Sequence, residues 1–129
     1  MDVAAALERL LQDSSQVERA VVLDATGSVL GSTLGDDAAA DRLATAAREL
    51  AAAAGELHAT PDEVTRVEVE LGDGAVFVFR EGQRTIAAVT GAKPTAGLVA
   101  YDLRTCLHAI DDAPKPRRRR TAKTKEAEE

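Results

Sequence analysis

The sequence predicts an α+β domain in the order α-β-β-α-β-β-β-α, a five-stranded antiparallel sheet with helices on both faces. The stretch Val64–Thr90, VTRVEVELGDGAVFVFREGQRTIAAVT, reads as three short strands joined by the tight turns Gly72-Asp73-Gly74 and Glu81-Gly82-Gln83. Upstream, the apolar run Ala20–Leu23 and the segment Ser28–Thr33 flank Asp24-Ala25-Thr26-Gly27, a second hairpin signal. The segments between and around these strands carry apolar residues at helical spacing instead.

Taken in order, Asp2 can cap a short first helix that places Val3, Leu7, Leu10 and Leu11 on one face. The two hairpin strands follow. Gly35-Asp36-Asp37 then opens a long helix that runs to about Leu57. Its residues Leu43, Ala47, Leu50, Ala54 and Leu57 recur at spacings of four and three, a stripe suited to lie on a sheet. Ala46 and Ala53 flank the stripe on one side, and Ala40, Ala44 and Ala51 on the other. Such small side chains admit a second helix closely, although alanine is also simply the best helix former. Asp41, Thr45, Arg48 and Ala52 face outward, a mixed surface without catalytic character. The last helix starts near Pro94, which suits a first turn, and runs to about Ile110. Val99, Leu103, Cys106, Leu107 and Ile110 form its apolar stripe.

The three strands of the meander are unequal. Val67, Val69 and Leu71 alternate with Arg66, Glu68 and Glu70, the pattern of a strand buried on one face. Ala75–Arg80 and Thr85–Thr90 are apolar at nearly every position, as in strands covered on both faces. The first strand therefore reads as a sheet edge, which is either guarded or used for pairing.

Composition narrows the function classes. Phe77, Phe79 and Tyr101 are the only aromatic residues, so Val, Leu and Ala build the interior and base-stacking platforms are absent. Cys106 is alone, which excludes an internal disulfide and suits a reducing compartment. No apolar run approaches the roughly 20 residues of a membrane span, and no secretion signal is read at the N-terminus. The expectation is a soluble cytoplasmic protein. Residues 1–113 hold nine Lys/Arg against nineteen Asp/Glu, whereas residues 114–129 hold seven Lys/Arg against three Glu. The shift falls at Pro114 and Pro116, so residues 1–112 are expected to form the domain and 113–129 a basic disordered tail. Arg117, Arg118, Arg119 and Arg120, with Lys115, Lys123 and Lys125, are candidate tail contacts. The tail either stays solvated, tethers a partner protein, or binds an acidic partner, nucleic acid or anionic lipid weakly and nonspecifically.

Candidate chemistry is sparse. Asp24-x-x-Gly27 has the form of a GTPase switch motif, but no GxxxxGK[ST] phosphate loop accompanies it, and a hairpin turn accounts for both residues. His58 and His108 lack the spacing of zinc ligands. Cys106 lies on an apolar stripe, as a small core residue would. Ser14, Ser15, Ser28 and Ser32 have no recognisable histidine partner. Arg48, Arg80 and Arg84 are the candidates for an arginine finger, though nothing singles one out; Arg80 and Arg84 are expected to pair with acids at a solvated sheet end. No catalytic residue, metal site or cofactor site is assigned.

The segments AVVLDATGSVLGSTL, DRLATAARELAAAAGEL, EVTRVEVEL and PTAGLVAYDLRTCLHAI together resemble the roadblock/dynein light-chain family, and within it the bacterial MglB-like regulators of Ras-like GTPases. The resemblance spans about residues 3–111 and rests on fold patterns, not on catalytic signatures. It implies a roadblock/profilin-like sandwich that forms a homodimer, with long helices side by side and third strands paired across a two-fold axis. It further implies binding to a small GTPase and modulation of its nucleotide cycle, or a scaffold role. On that reading Ala46, Ala53, Arg66, Val67, Glu68, Val69 and Glu70 form the dimer interface, and Asp41, Thr45, Arg48 and Ala52 the GTPase-binding face. Pairing about Val67 sets Arg66 opposite the Glu68 of a second copy; pairing about Glu68 sets two glutamates opposite each other, while Arg66 meets Glu70. Opposite charges across strands favour the first register. Three functions stay open: a noncatalytic GTPase regulator, a structural adaptor without effect on turnover, and a small ligand-sensing domain.

Overall fold

In the computed structural model, residues 1–57 and 65–111 are described. The elements follow the expected order: α1 (Val3–Asp13), β1 (Val17–Leu23), β2 (Val29–Ser32), α2 (Asp37–Gly55), β3 (Arg66–Leu71), β4 (Gly74–Glu81), β5 (Arg84–Thr90) and α3 (Ala96–Ala109). The strands form one antiparallel sheet in the order β2-β1-β5-β4-β3. The two sequence-local units thus meet through β1 and β5, and β2 and β3 are the edges. His58, Val64, the boundary at Asp112 and the basic tail lie outside the described residues.

Local chemistry sets the element ends. The Asp2 carboxylate accepts the Ala5 N–H at 2.8 Å and so caps α1. The Ser14 hydroxyl accepts the N–H groups of Gln16 and Val17, turning the chain from α1 into β1. β1 begins at Val17, three residues before the apolar run suggests, because exposed Glu18 and Arg19 interrupt the pattern beside an irregularity in the pairing with β5. β2 is shorter than the expected Ser28–Thr33. Ser28 is held by the preceding turn, and the Thr33 hydroxyl accepts the Ala20 N–H at 2.9 Å. At the other hairpin, Gly82 adopts φ +65 at the first turn position, where a two-residue loop needs the left-handed region.

The sheet separates two cores. On one face α1 and α3 bury Leu7, Leu10, Val99, Leu103 and Leu107 against Val22, Phe77, Phe79 and Ile86. Leu11, expected on the same stripe, is 40% exposed. It stands one residue, about 100°, past Leu10 and outside the narrow face that α1 shares with the sheet. Cys106 lies in this core as expected, its thiol donating to the Ala6 carbonyl at 3.5 Å. Burial pushes that thiol up to about 11. Gly31 lets α1 settle on β2, since a Cβ there would stand 2.5 Å from Cγ1 of Val3.

On the opposite face α2 packs alone, and its orientation corrects the expected stripe. Its buried residues are Ala40, Ala44 and Ala47, which pack against Val21, Leu23, Val78 and Ala87, and Gly55 at its end. Leu43 and Leu50 are only partly buried, and Leu57, beyond the last helical residue, is 83% exposed. Ala40 and Ala44, expected on a flank, are the floor of the contact. The helix is rotated by most of one residue's roughly 100° step from the leucine stripe. The short alanine side chains win the sheet-facing positions because they let the helix backbone approach the sheet.

Two outcomes test these contacts. Gly31→Ala should destabilise the fold by about 1–3 kcal/mol in urea denaturation, and adding Val3→Ala should recover part of that loss through coupling. Cys106 should react with a thiol reagent at pH 8 at least a hundred times more slowly in the native protein than in urea. Equal rates would place the thiol at the surface.

Candidate protein interaction surfaces

β3 presents an unpaired edge with a defined phase. The Thr65 carbonyl accepts the Arg80 N–H at 2.8 Å, so the odd-numbered residues bond inward to β4. Alternation leaves the backbone N–H and C=O groups of Arg66, Glu68 and Glu70 directed outward. Pairing with a copy about Val67 or about Glu68 would match these outward groups. An axis between the two residues would not. The side chains divide by face: Val67 and Val69 pair with Val78 and Val76 on the α2 side, whereas Arg66, Glu68 and Glu70 lie on the α1/α3 side. Arg66 Nε already meets its own Glu68 at 2.8 Å. This exposed pair is worth at most about 1 kcal/mol.

The apolar border of α2 runs beside that edge. Leu43, Leu50, Val67 and Val76 pack on the rim of the alanine core and remain partly exposed. Ala46 is half-buried and Ala53 exposed. Together with Leu71, 47% exposed, and Leu57, they make an apolar ribbon along one side of the domain. The structure places Val67 on this border and Val69 on the same face of β3, with Ala46 half-buried and Ala53 exposed on α2. It adds Leu43 and Leu50, which the stripe reading had assigned to the sheet.

The outward face of α2 is less free than expected. Asp41, Thr45, Arg48 and Ala52 are exposed. Yet Arg48 folds over the β1–β2 turn, donating to the Gly27 carbonyl at 2.7 Å and to the Thr45 hydroxyl at 3.0 Å. Gly27 sits at φ +88, and a Cβ there would stand 2.5 Å from Arg48 Cδ. The Asp24 carboxylate accepts the Thr26 hydroxyl at 2.7 Å and the N–H groups of Thr26 and Ser28. The Thr26 hydroxyl, then the Ser28 amide, holds the Asp24 carboxyl below its ordinary value. Asp24 and Gly27 are thus a turn, as the sequence indicates.

The strand ends between that turn and Gly82-Gln83 enclose an open groove of about 930 Å³. Its charged lining comprises Asp24, Arg48, Arg80, Glu81 and Arg104, with Leu23, Ala47, Ala51 and Phe79 as apolar floor. Arg104 lies 5.4 Å from the Phe79 ring centroid and 3.8 Å from Glu81. His108 also meets Glu81. The Arg84 guanidinium reaches the Ile110 and Asp111 carbonyls at 3.5 and 2.8 Å, contacts with backbone that the expectation of acid partners did not include. Arg80 makes no side-chain hydrogen bond or ion pair among the described residues, so the expected pairing with an acid does not form there. The Arg80–Arg104 convergence was invisible in the sequence because it joins β4 to α3 across the sheet end. Among the described residues no cluster of three or more metal-ligating side chains occurs. No described helix is long and apolar enough to cross a membrane.

Comparisons with known proteins fit this architecture. The chain is similar to a Roadblock/LC7 domain from Streptomyces avermitilis at 24% identity, with a TM-score of 0.72 over 84% of this chain and 94% of that one. It is similar to Myxococcus xanthus MglB at 15% identity, with a TM-score of 0.62 over 81% of this chain and 80% of that one. Profilin IA from Acanthamoeba castellanii shares the fold at 17% identity and a TM-score of 0.51, over 82% of this chain and 94% of that one. No protein of curated function matches in sequence. Residues 4–90 match the Roadblock/LC7 domain family, which accounts for the helix-flanked sheet with its open third strand: the chain belongs to that family.

Proposed function

We propose that this protein is a noncatalytic homodimer that binds a Ras-like small GTPase and accelerates its nucleotide turnover. The supporting observation is the coincidence on one border of two unfinished features. One is the outward backbone groups of β3, and the other the apolar ribbon of Leu43, Leu50, Val67 and Val69. A second copy placed by a two-fold axis supplies partners for both at once, because each copy offers the same edge and the same ribbon. The GTPase as the class of partner comes from the resemblance of the sequence to the MglB-like regulators, a branch of the family to which the chain belongs. The α2 surface around Asp41, Thr45 and Ala52 remains the candidate docking face, with Arg48 acting there through the turn it pins. Contacts of Arg117–Arg120 with an acidic partner belong to the same proposal. A ligand sensor is less well supported, since the groove at the strand ends is an open trough and not an enclosed chamber.

Light scattering at micromolar concentration should give twice the 13.5 kDa chain mass. Leu50→Glu should raise the dimer dissociation constant about a hundredfold by placing a charge in the seam. A wild-type monomer would end the dimer reading. For the register, Val67→Cys should cross-link under mild oxidation, because facing residues about the axis stand about 4.5 Å apart, within disulfide reach. Efficient cross-linking of Glu68→Cys with none at Val67→Cys would instead select the alternative register. Single-turnover GTP hydrolysis by the Ras-like GTPase encoded nearest this gene should rise at least tenfold on addition of the protein. Binding without acceleration would leave an adaptor, and no binding would remove the GTPase altogether.

A further inference from the structure

We infer that the groove at the turn end of the sheet is a docking site for an acidic peptide segment of a partner protein, with Arg80 as its principal anchor. The charge of the domain is distributed unevenly. Residues 1–113 contain nine Lys/Arg against nineteen Asp/Glu, yet Arg48, Arg80 and Arg104 converge on this one groove, with Arg66 and Arg84 starting the strands beside it. Arg48 is bonded to a carbonyl and a hydroxyl, which orient its charge without neutralising it. Arg80 stands on the α2 side of β4, in line with Val76 and Val78, half-buried and without a side-chain partner among the described residues. A partly desolvated guanidinium of this kind gains most from a carboxylate brought to it in bidentate geometry.

The lining favours a peptide over a phosphate. The guanidinium groups belong to three separate elements, α2, β4 and α3, and line an open trough of about 930 Å³. On the rim at the β1–β2 turn the amides are occupied: the Gly27 N–H is given to the Asp24 carbonyl at 3.0 Å, and those of Thr26 and Ser28 to the Asp24 carboxylate. Asp24 and Glu81 on the same rim would repel a compact multivalent anion, whereas spaced single carboxylates can pass between them. Half-buried Ala51 is the apolar residue of this lining that a peptide side chain can reach, and Leu23, Ala47 and Phe79 lie beneath it in the core. Because the groove lies at the end of the strands, pairing along β3 would leave most of its rim in place. The inference stands whether or not the partner is a GTPase.

Fluorescence anisotropy with a labelled decapeptide of alternating glutamate and leucine tests this on the full chain. Saturable binding in the micromolar range that weakens as salt rises is expected. Arg80→Glu should reduce the affinity at least tenfold, and Arg80→Gln three- to tenfold. Arg42→Glu, the same charge change on the exposed far side of α2, should alter it less than twofold. Circular dichroism of each variant guards against unfolding, and Arg104→Gln provides a second reduction if Arg80→Glu does not fold. Equal losses in the Arg80 and Arg42 variants, or no saturation below 1 mM, would overturn the assignment. Displacement of the peptide by inorganic triphosphate at lower concentration than by unlabelled peptide would overturn it in favour of a phosphate site.

Discussion

The contact between the alanines of α2 and the sheet governs much of the remaining architecture. Ala40, Ala44 and Ala47 are the buried alanines of that helix in the cluster with Val21, Leu23, Val78 and Ala87. Side chains this short bring the helix axis near the strands, and the space beneath the axis then has no room for leucine. Leu43 and Leu50 are displaced to the rim of this core, where Val67 and Val76 are also partly buried. The apolar border is therefore a consequence of close packing, not a separate design. Fully burying such a leucine is worth roughly 1.5–3 kcal/mol, a gain the isolated chain leaves partly unrealised.

The two faces of the sheet divide the labour. On the α1/α3 side, Leu7, Leu10, Phe77, Ile86, Val99 and Leu103 supply the large buried volumes, and Gly31 lets α1 join them. That core spans β1, β5 and β4, the three central strands of the order β2-β1-β5-β4-β3. The α2 side contributes smaller residues and is finished on only one flank, where Arg48 ties the helix to the Gly27 turn. Its other flank is the β3 border. A partner at that border would thus meet a surface whose backbone is already fixed by the thicker core behind it, so little ordering entropy would be lost on association.

Much of this was legible in the sequence because it is local. The alternation RVEVEL, the doubly apolar strands beside it and the turn residues at Gly27 and Gly82 each state a period or a backbone requirement within a few positions. The rotation of α2 was not legible. Leucine hydrophobicity marks Leu43 and Leu50 as the inner face, and only the distance to the sheet, a tertiary quantity, gives that place to alanine instead. Leu11 is misread for a related reason: its spacing is compatible with burial, but the width of the face that α1 shares with the sheet, again a tertiary quantity, leaves it outside. The arginine groove was illegible in a different way. Arg48, Arg80 and Arg104 sit on three elements separated by long stretches of chain, and nothing periodic links them.

Charge plays different parts at the two surfaces. On β3, Arg66 already has Glu68 at 2.8 Å in its own chain. Re-pairing the same two residues across a two-fold axis about Val67 exchanges one exposed ion pair for another of similar strength, so the net electrostatic gain is small. What the charges do supply is discrimination, because the register about Glu68 brings two glutamates into opposition. Affinity at that seam must then come from the strand ladder and from Leu43 and Leu50. In the groove the balance is reversed. Arg80 has no side-chain partner among the described residues, so on the proposed reading a carboxylate arriving there would form a new pair at a half-buried guanidinium, where solvent screening is reduced. On these two proposals charge would select geometry at one surface and contribute binding at the other.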